Sequence, residues 1–131
     1  MDELPISSGD DVVRVRQQVR TAAAASGLSL IDQTKLITAA SELARNTLVH
    51  GGGGVAQVET ATSGTGRRGV RVTFRDSGPG IPDLELALTD GWTTGDGLGL
   101  GLSGARRLVD EFDLTSKPGD GTSVVVAKWS R

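Results

Sequence analysis

The chain has no cysteine, no tyrosine and a single histidine, and each scarcity removes a class of chemistry. Without cysteine there are no disulfides and no thiolate metal sites, which suits a reducing compartment. One histidine, His50, leaves a transition-metal site without a second imidazole. It falls at the expected carboxyl end of a helix, where a cation suits the dipole. Two phenylalanines and two tryptophans leave the core to Val, Leu, Ile and Ala. No apolar run approaches the roughly 20 residues that a helix needs to cross a bilayer. The first residues, Met1 to Asp10, are acidic and contain no apolar stretch of signal-peptide type. A net charge of −2 with both signs scattered provides no electrostatic footprint for nucleic acid. Arg67-Arg68 and Arg106-Arg107 are too short to change that. The expectation is one cytoplasmic domain over residues 1–131, with neither a membrane nor a nucleic acid as partner.

Glycine is what the chain has in excess: nineteen residues, concentrated at 51–54, 64–69, 78–80, 91–104 and 119–121. Clustering of this kind marks loops between regular elements. Leu4-Pro5-Ile6 reads as a short edge strand. Ser8-Gly9-Asp10 starts a helix whose apolar stripe is Val12, Val13, Val15, Val19, Ala22 and Ala23, ending near Gly27. Ser29 caps a second helix with Asp32 in its first turn; Leu36, Ala39, Ala40, Leu43 and Thr47 face the core, and it stops at Gly51 after His50. Val55–Thr62 and Val70–Phe74 alternate as two strands joined at Ser63-Gly64-Thr65-Gly66. Ile81–Leu88 reads as a short helical piece, and 90–96 as irregular. A third main helix begins around Leu100 to Ser103 and carries Ala105, Leu108, Val109 and Phe112 inward. Leu114–Ser116 and Thr122–Trp129 close the chain as strands. This order predicts an α/β two-layer sandwich, one mixed, mostly antiparallel sheet covered by helices on one face.

Three segments carry chemistry. Glu42 and Asn46 lie four residues apart, on one face of the second helix. An amide oxygen suits Mg²⁺, and a carboxylate beside it can take a proton from a hydroxyl. Read alone, the segment is better explained by Glu42 pairing with Arg45 and Asn46 capping something local. Asp76 ends a strand before Gly78-Pro79-Gly80; it can accept from the exocyclic amine of adenine, or simply open a β-turn. Gly97-Leu98-Gly99-Leu100-Gly101 runs into a helix, a geometry that offers backbone N–H groups to phosphate, and equally a hinge. It is neither a Walker loop nor a dinucleotide fingerprint. Gly121-Thr122 brings a hydroxyl to the start of the last strand.

In this order the E-x-x-x-N, D-x-G-x-G, G-x-G-x-G and final G-T segments resemble the N, G1, G2 and G3 boxes of the GHKL ATPase/kinase superfamily, and the resemblance covers almost the whole chain. The absence of an extra domain resembles the small stand-alone serine/threonine kinases of the anti-sigma-factor kinase family. Ser41–Asn46, Asp76–Asp83, Asp90–Thr94, Arg107–Phe112 and Ala127-Lys128-Trp129 look most like the stressosome switch kinases, the RsbT type. The resemblance implies the Bergerat-type ATP-binding fold, with ATP and Mg²⁺ as cofactors. It further implies Glu42 as general base, Asn46 as Mg²⁺ ligand and Asp76 on the adenine amine. Gly78 and Gly80 would lie beneath the ring, Thr122 would support it, and Gly97, Gly99 and Gly101 would form a mobile lid over the phosphates. Asp96, an acid just before that lid, departs from what is easiest beside phosphate.

Such kinases phosphorylate Ser or Thr on STAS-domain proteins and then engage a PP2C-type phosphatase, which is the implied function. The alternative is an anti-sigma factor that sequesters a sigma factor. A histidine kinase ranks third, because its dimerisation helices and acceptor domain have no counterpart here.

Overall fold

The computed structural model describes residues 3–80, 101–117 and 119–131. The readings for Ile81–Leu88, for 90–96 and for Gly97, Gly99 and Asp96 lie outside them. Among the described residues, five strands and three helices follow in the order β1 Glu3–Ile6, α1 Gly9–Ala25, α2 Leu30–Val49, β2 Gly54–Thr62, β3 Arg68–Asp76, α3 Gly101–Arg107, β4 Glu111–Lys117 and β5 Gly121–Trp129.

Local chemistry starts and stops the long helices. The Ser8 hydroxyl accepts from the Asp11 N–H at the head of α1, and Ser29 does the same for Asp32 at the head of α2. Each satisfies a donor that the helix cannot use itself, and the acids in both first turns complement the dipole. Helix α1 buries Val15, Val19 and Ala23 at four-residue spacing. Val13, expected on that stripe, is 45% exposed. Two residues from Val15 is about 200° around a helix, so the two side chains point to opposite sides. Every core position expected of α2 is buried. Among the described residues, no helix is long and apolar enough to cross a membrane.

The sheet order is β1-β2-β3-β5-β4, and every pairing is antiparallel. Pro5 sits on the edge strand β1, as expected. Strands β2 and β3 form the anticipated hairpin, closed by the Ser63 N–H on the Arg67 carbonyl at 2.8 Å. Ala56, Val70, Val72, Phe74, Val124 and Val126 bury one face of the sheet with α1 and α2, while Gln57, Glu59, Arg71, Thr73 and Ser123 alternate onto the other. This is the predicted two-layer sandwich.

The third helix is shorter than expected. It ends at Arg107, and Phe112 belongs to β4, where it lies opposite Val126. Phe112 still packs on the core, but through strand alternation with Leu114 and Ser116. The turn between is tied to the sheet: the Asp110 N–H reaches the Ala127 carbonyl at 2.9 Å, and the Asp110 carboxylate accepts from the Trp129 N–H at 2.8 Å.

A buried ion cluster closes this end. The Lys128 ammonium, nearly inaccessible, lies 3.6 Å from Asp32 and 3.4 Å from Asp110, and the exposed Arg131 reaches both carboxylates at 3.5 and 3.1 Å. Burial opposes charge on Asp110, but the Trp129 N–H and the Lys128 ammonium outweigh it and hold its carboxyl below the ordinary 3.8. A carboxyl held low in the folded state stabilises the fold above its unfolded value, and that contribution is lost as pH falls through the folded value. In thermal melts from about pH 5 down to about pH 2, Asp110→Asn is expected to lose less stability than the wild type, having already lost it at neutral pH. Equal losses would remove Asp110 from the acid response.

Candidate functional site

At the opposite end of the sheet, Gly54, Asp76, Thr122 and Ser116 form one row across β2, β3, β5 and β4. Residues directly opposite one another in antiparallel strands share a face, so this row continues the helix-covered layer to its rim. Asp76 is its centre. One carboxylate oxygen, Oδ1, accepts from the Gly78 N–H at 2.9 Å and the Thr122 N–H at 3.2 Å. The first bond is the side-chain-closed turn that the Asp-Ser-Gly-Pro-Gly segment predicts. The second fixes the acid to the neighbouring strand. Among the described residues Oδ2 receives no hydrogen bond, which leaves a charged acceptor for something else.

The turn after α2 covers that carboxylate. The Asn46 carbonyl accepts from both the His50 and Gly51 N–H groups, at 2.9 and 3.2 Å, and Gly53 N–H returns to the Thr47 carbonyl at 3.0 Å. This tight exit lays Gly51 against Asp76, where a Cβ would run into the carboxyl group. Gly51→Ala is therefore expected to displace Asp76 and to lower stability by about 1–3 kcal/mol. A thermal melt checks this, and an unchanged midpoint would show that the contact yields without consequence.

Glu42 and Asn46 stand half-buried on α2, two turns and one turn before this exit, respectively. Neither side chain makes a hydrogen bond or ion pair among the described residues, so the Glu42–Arg45 pairing is not formed. Their oxygens remain available. The β4–β5 turn leans on the same region. Gly119 N–H donates to the Pro79 carbonyl at 2.8 Å, and Gly121, at φ +83°, fits against the Asp76 backbone where a Cβ would collide. Ser116 Oγ donates to the Gly121 carbonyl at 3.1 Å and lies 2.9 Å from Thr122 Oγ1.

Asp76, Gly78 and Thr122 thus meet directly, and Glu42 and Asn46 lie on the helix whose exit touches Asp76. Gly80 follows Gly78 with φ +79°. Gly101 opens α3, whereas Gly97 and Gly99 are outside the described residues. Sequence reasoning missed Gly51 and Ser116. The run of four glycines at 51–54 was the available signal for the first, and the alternation of β4 placing Ser116 opposite Thr122 was the signal for the second. The arrangement sets a charged acceptor and a hydroxyl side by side at the end of the sheet, with two further oxygens on the helix whose exit touches Asp76.

The family described as histidine kinase-, DNA gyrase B-, and HSP90-like ATPase matches residues 31–130, a span that takes in α2 but for its first residue and every residue placed around Asp76. Over 121 residues the chain is 42% identical to the serine/threonine-protein kinase RsbT of Bacillus subtilis, covering 92% of this chain and 90% of that protein. It is 31% identical to an anti-sigma F factor of Anoxybacillus flavithermus, with 76% and 71% of the two chains covered. Among solved structures, the RsbU and RsbW domains of a Mycobacterium tuberculosis protein superpose with a TM-score of 0.64 at 25% identity, over 100% of this chain and 33% of that one. The histidine kinase domain of a blue-light activated kinase from Erythrobacter litoralis shares the fold, with a TM-score of 0.53, 22% identity and coverage of 95% and 60%. With a matching family span of this length and a relative this similar from end to end, the chain belongs to the histidine kinase-, DNA gyrase B- and HSP90-like ATPase family.

Proposed function

We propose that the protein is an ATP-dependent serine/threonine kinase that phosphorylates a STAS-domain partner and, once that phosphate is in place, exchanges it for a PP2C-type phosphatase. The observation that carries the nucleotide reading is Asp76. Two backbone amides hold Oδ1, and the other oxygen remains a charged acceptor beside Gly51, among the described residues without a donor of its own. An exocyclic amine is the donor that such an acceptor suits, which is the adenine end of ATP. The similarity to RsbT supports protein serine or threonine as the acceptor.

The residues of α2 fit the phosphate end. Asn46 would contribute its amide oxygen to Mg²⁺, a cation that prefers one or two protein oxygens together with phosphates and water. When bound, Mg²⁺ neutralises charge on the phosphates. Glu42, one turn earlier, orients the acceptor hydroxyl and takes its proton. The rest is positioning, because phosphoryl transfer asks little covalent chemistry of the protein. The acceptor comes from the partner. A phosphate adds about 1.5 to 2 negative charges to that partner's surface, enough to weaken an interface with acids opposite it.

Similarity to anti-sigma F factors supports a second reading, capture of a sigma factor. Incubation with labelled ATP, Mg²⁺ and purified STAS-domain proteins separates the two. Acid-stable label on the partner, followed by weakened binding, is expected. Acid-labile label on His50 would indicate a histidine kinase, and tight sigma-factor capture without transfer would favour the anti-sigma reading.

A further inference from the structure

The hydroxyls at the end of the sheet have a fixed proton count, and it decides which way Thr122 points. Ser116 has one hydroxyl proton. The Gly121 carbonyl can only accept, so the 3.1 Å bond from Ser116 Oγ uses that proton. The 2.9 Å contact between Ser116 Oγ and Thr122 Oγ1 then has one remaining solution, with Thr122 donating and Ser116 accepting. Thr122 has a single proton as well, and it is spent on Ser116. Toward any further ligand its oxygen offers lone pairs only. Asp76, directly opposite Thr122 in the β3–β5 pairing and on the same face, is likewise an acceptor.

We propose that Ser116 is a positioning residue that locks the Thr122 hydroxyl as an acceptor, so that the site around Asp76 selects a 6-amino purine over a 6-oxo purine. The proposal rests on the adenine reading of Asp76 and deepens it. An amino group at the purine 6-position supplies two N–H donors, and two acceptors side by side receive them directly or through a water. An oxo group at the same position turns lone pairs toward the Thr122 lone pairs. The Thr122 hydroxyl, bound to Ser116, does not turn to donate. The selection belongs to the pair, since threonine alone rotates and serves either base.

Binding of ATP and inosine triphosphate to the full chain, measured by calorimetry with Mg²⁺, tests this. The two ligands share sugar and phosphates and differ at the purine 6-position and in the protonation of N1. The wild type is expected to prefer ATP. Ser116→Ala frees the Thr122 proton and is expected to cut that preference about tenfold, in part by improving inosine triphosphate. Ser116→Thr retains the hydroxyl and is expected to restore the preference. Thr122→Val, which removes the acceptor while keeping the shape, should weaken ATP more than inosine triphosphate, and adding Ser116→Ala to it should then leave the ratio unchanged.

An unaltered ratio in Ser116→Ala with ATP binding intact would overturn the inference and leave the adenine reading standing. A shift that persists in the Thr122→Val background would overturn it too, since Ser116 would then act by another route. A wild type that binds both nucleotides equally, or neither, would overturn the adenine reading and the inference together.

Discussion

Glu42→Gln is expected to bind ATP as the wild type does and to transfer phosphate at least about a hundredfold more slowly. The side chain is half-buried, its shape survives the substitution, and it makes no hydrogen bond or ion pair among the described residues, so little in the fold depends on its charge. What goes is basicity. A carboxamide still orients a hydroxyl through its carbonyl but does not take the proton, and positioned bases contribute roughly a hundredfold to ten-thousandfold. Single-turnover transfer to the partner, set beside ATP affinity, separates the two effects. Transfer at the wild-type rate would show that the acceptor proton leaves by another path, and lost ATP affinity would place Glu42 in nucleotide binding instead.

For Asp76→Asn the expectation is reversed: ATP binding falls and the fold stays. The amide carbonyl can replace Oδ1 and still receive the Gly78 and Thr122 N–H groups, so the turn and the β3–β5 register persist. The NH₂ then stands where Oδ2 was, and a ligand amine meets a donor in place of a charged acceptor. Loss of a hydrogen bond to a charged group costs about 1.5–3 kcal/mol, which corresponds to roughly 10- to 150-fold in affinity. Calorimetry with ATP and Mg²⁺ reads the affinity, and a thermal melt close to the wild type's shows that the fold is intact. Unchanged affinity would take Asp76 out of the site.

What was legible beforehand was mostly local. Ser8 and Ser29 announce the helices because a cap acts within three residues, and Ser63-Gly64-Thr65-Gly66 announces the hairpin because a turn does too. Asp76 and Thr122 were found through motif order, and register pairing explains why residues so distant in sequence belong together. Phe112 was assigned to a helix because its spacing from Leu108 fits a helical stripe as well as its alternation with Leu114 fits a strand. The deciding contact, Asp110 to Trp129, comes from the far end of the chain. The Asp32–Lys128–Asp110 cluster was invisible for the same reason: each charge alone reads as solvated surface. Ser116 acquires meaning only once β4 lies beside β5.

The crowding of Gly51 and Gly121 against Asp76 also changes how a mutational survey of this protein should be designed. Alanine scanning rests on deletion, with a residue's importance measured by what vanishes. At Gly51 and Gly121 the wall is bare main chain, and there is nothing to delete. The damaging substitutions are the ones that add a carbon, and a scan that skips glycines as having nothing to remove would leave this rim blank.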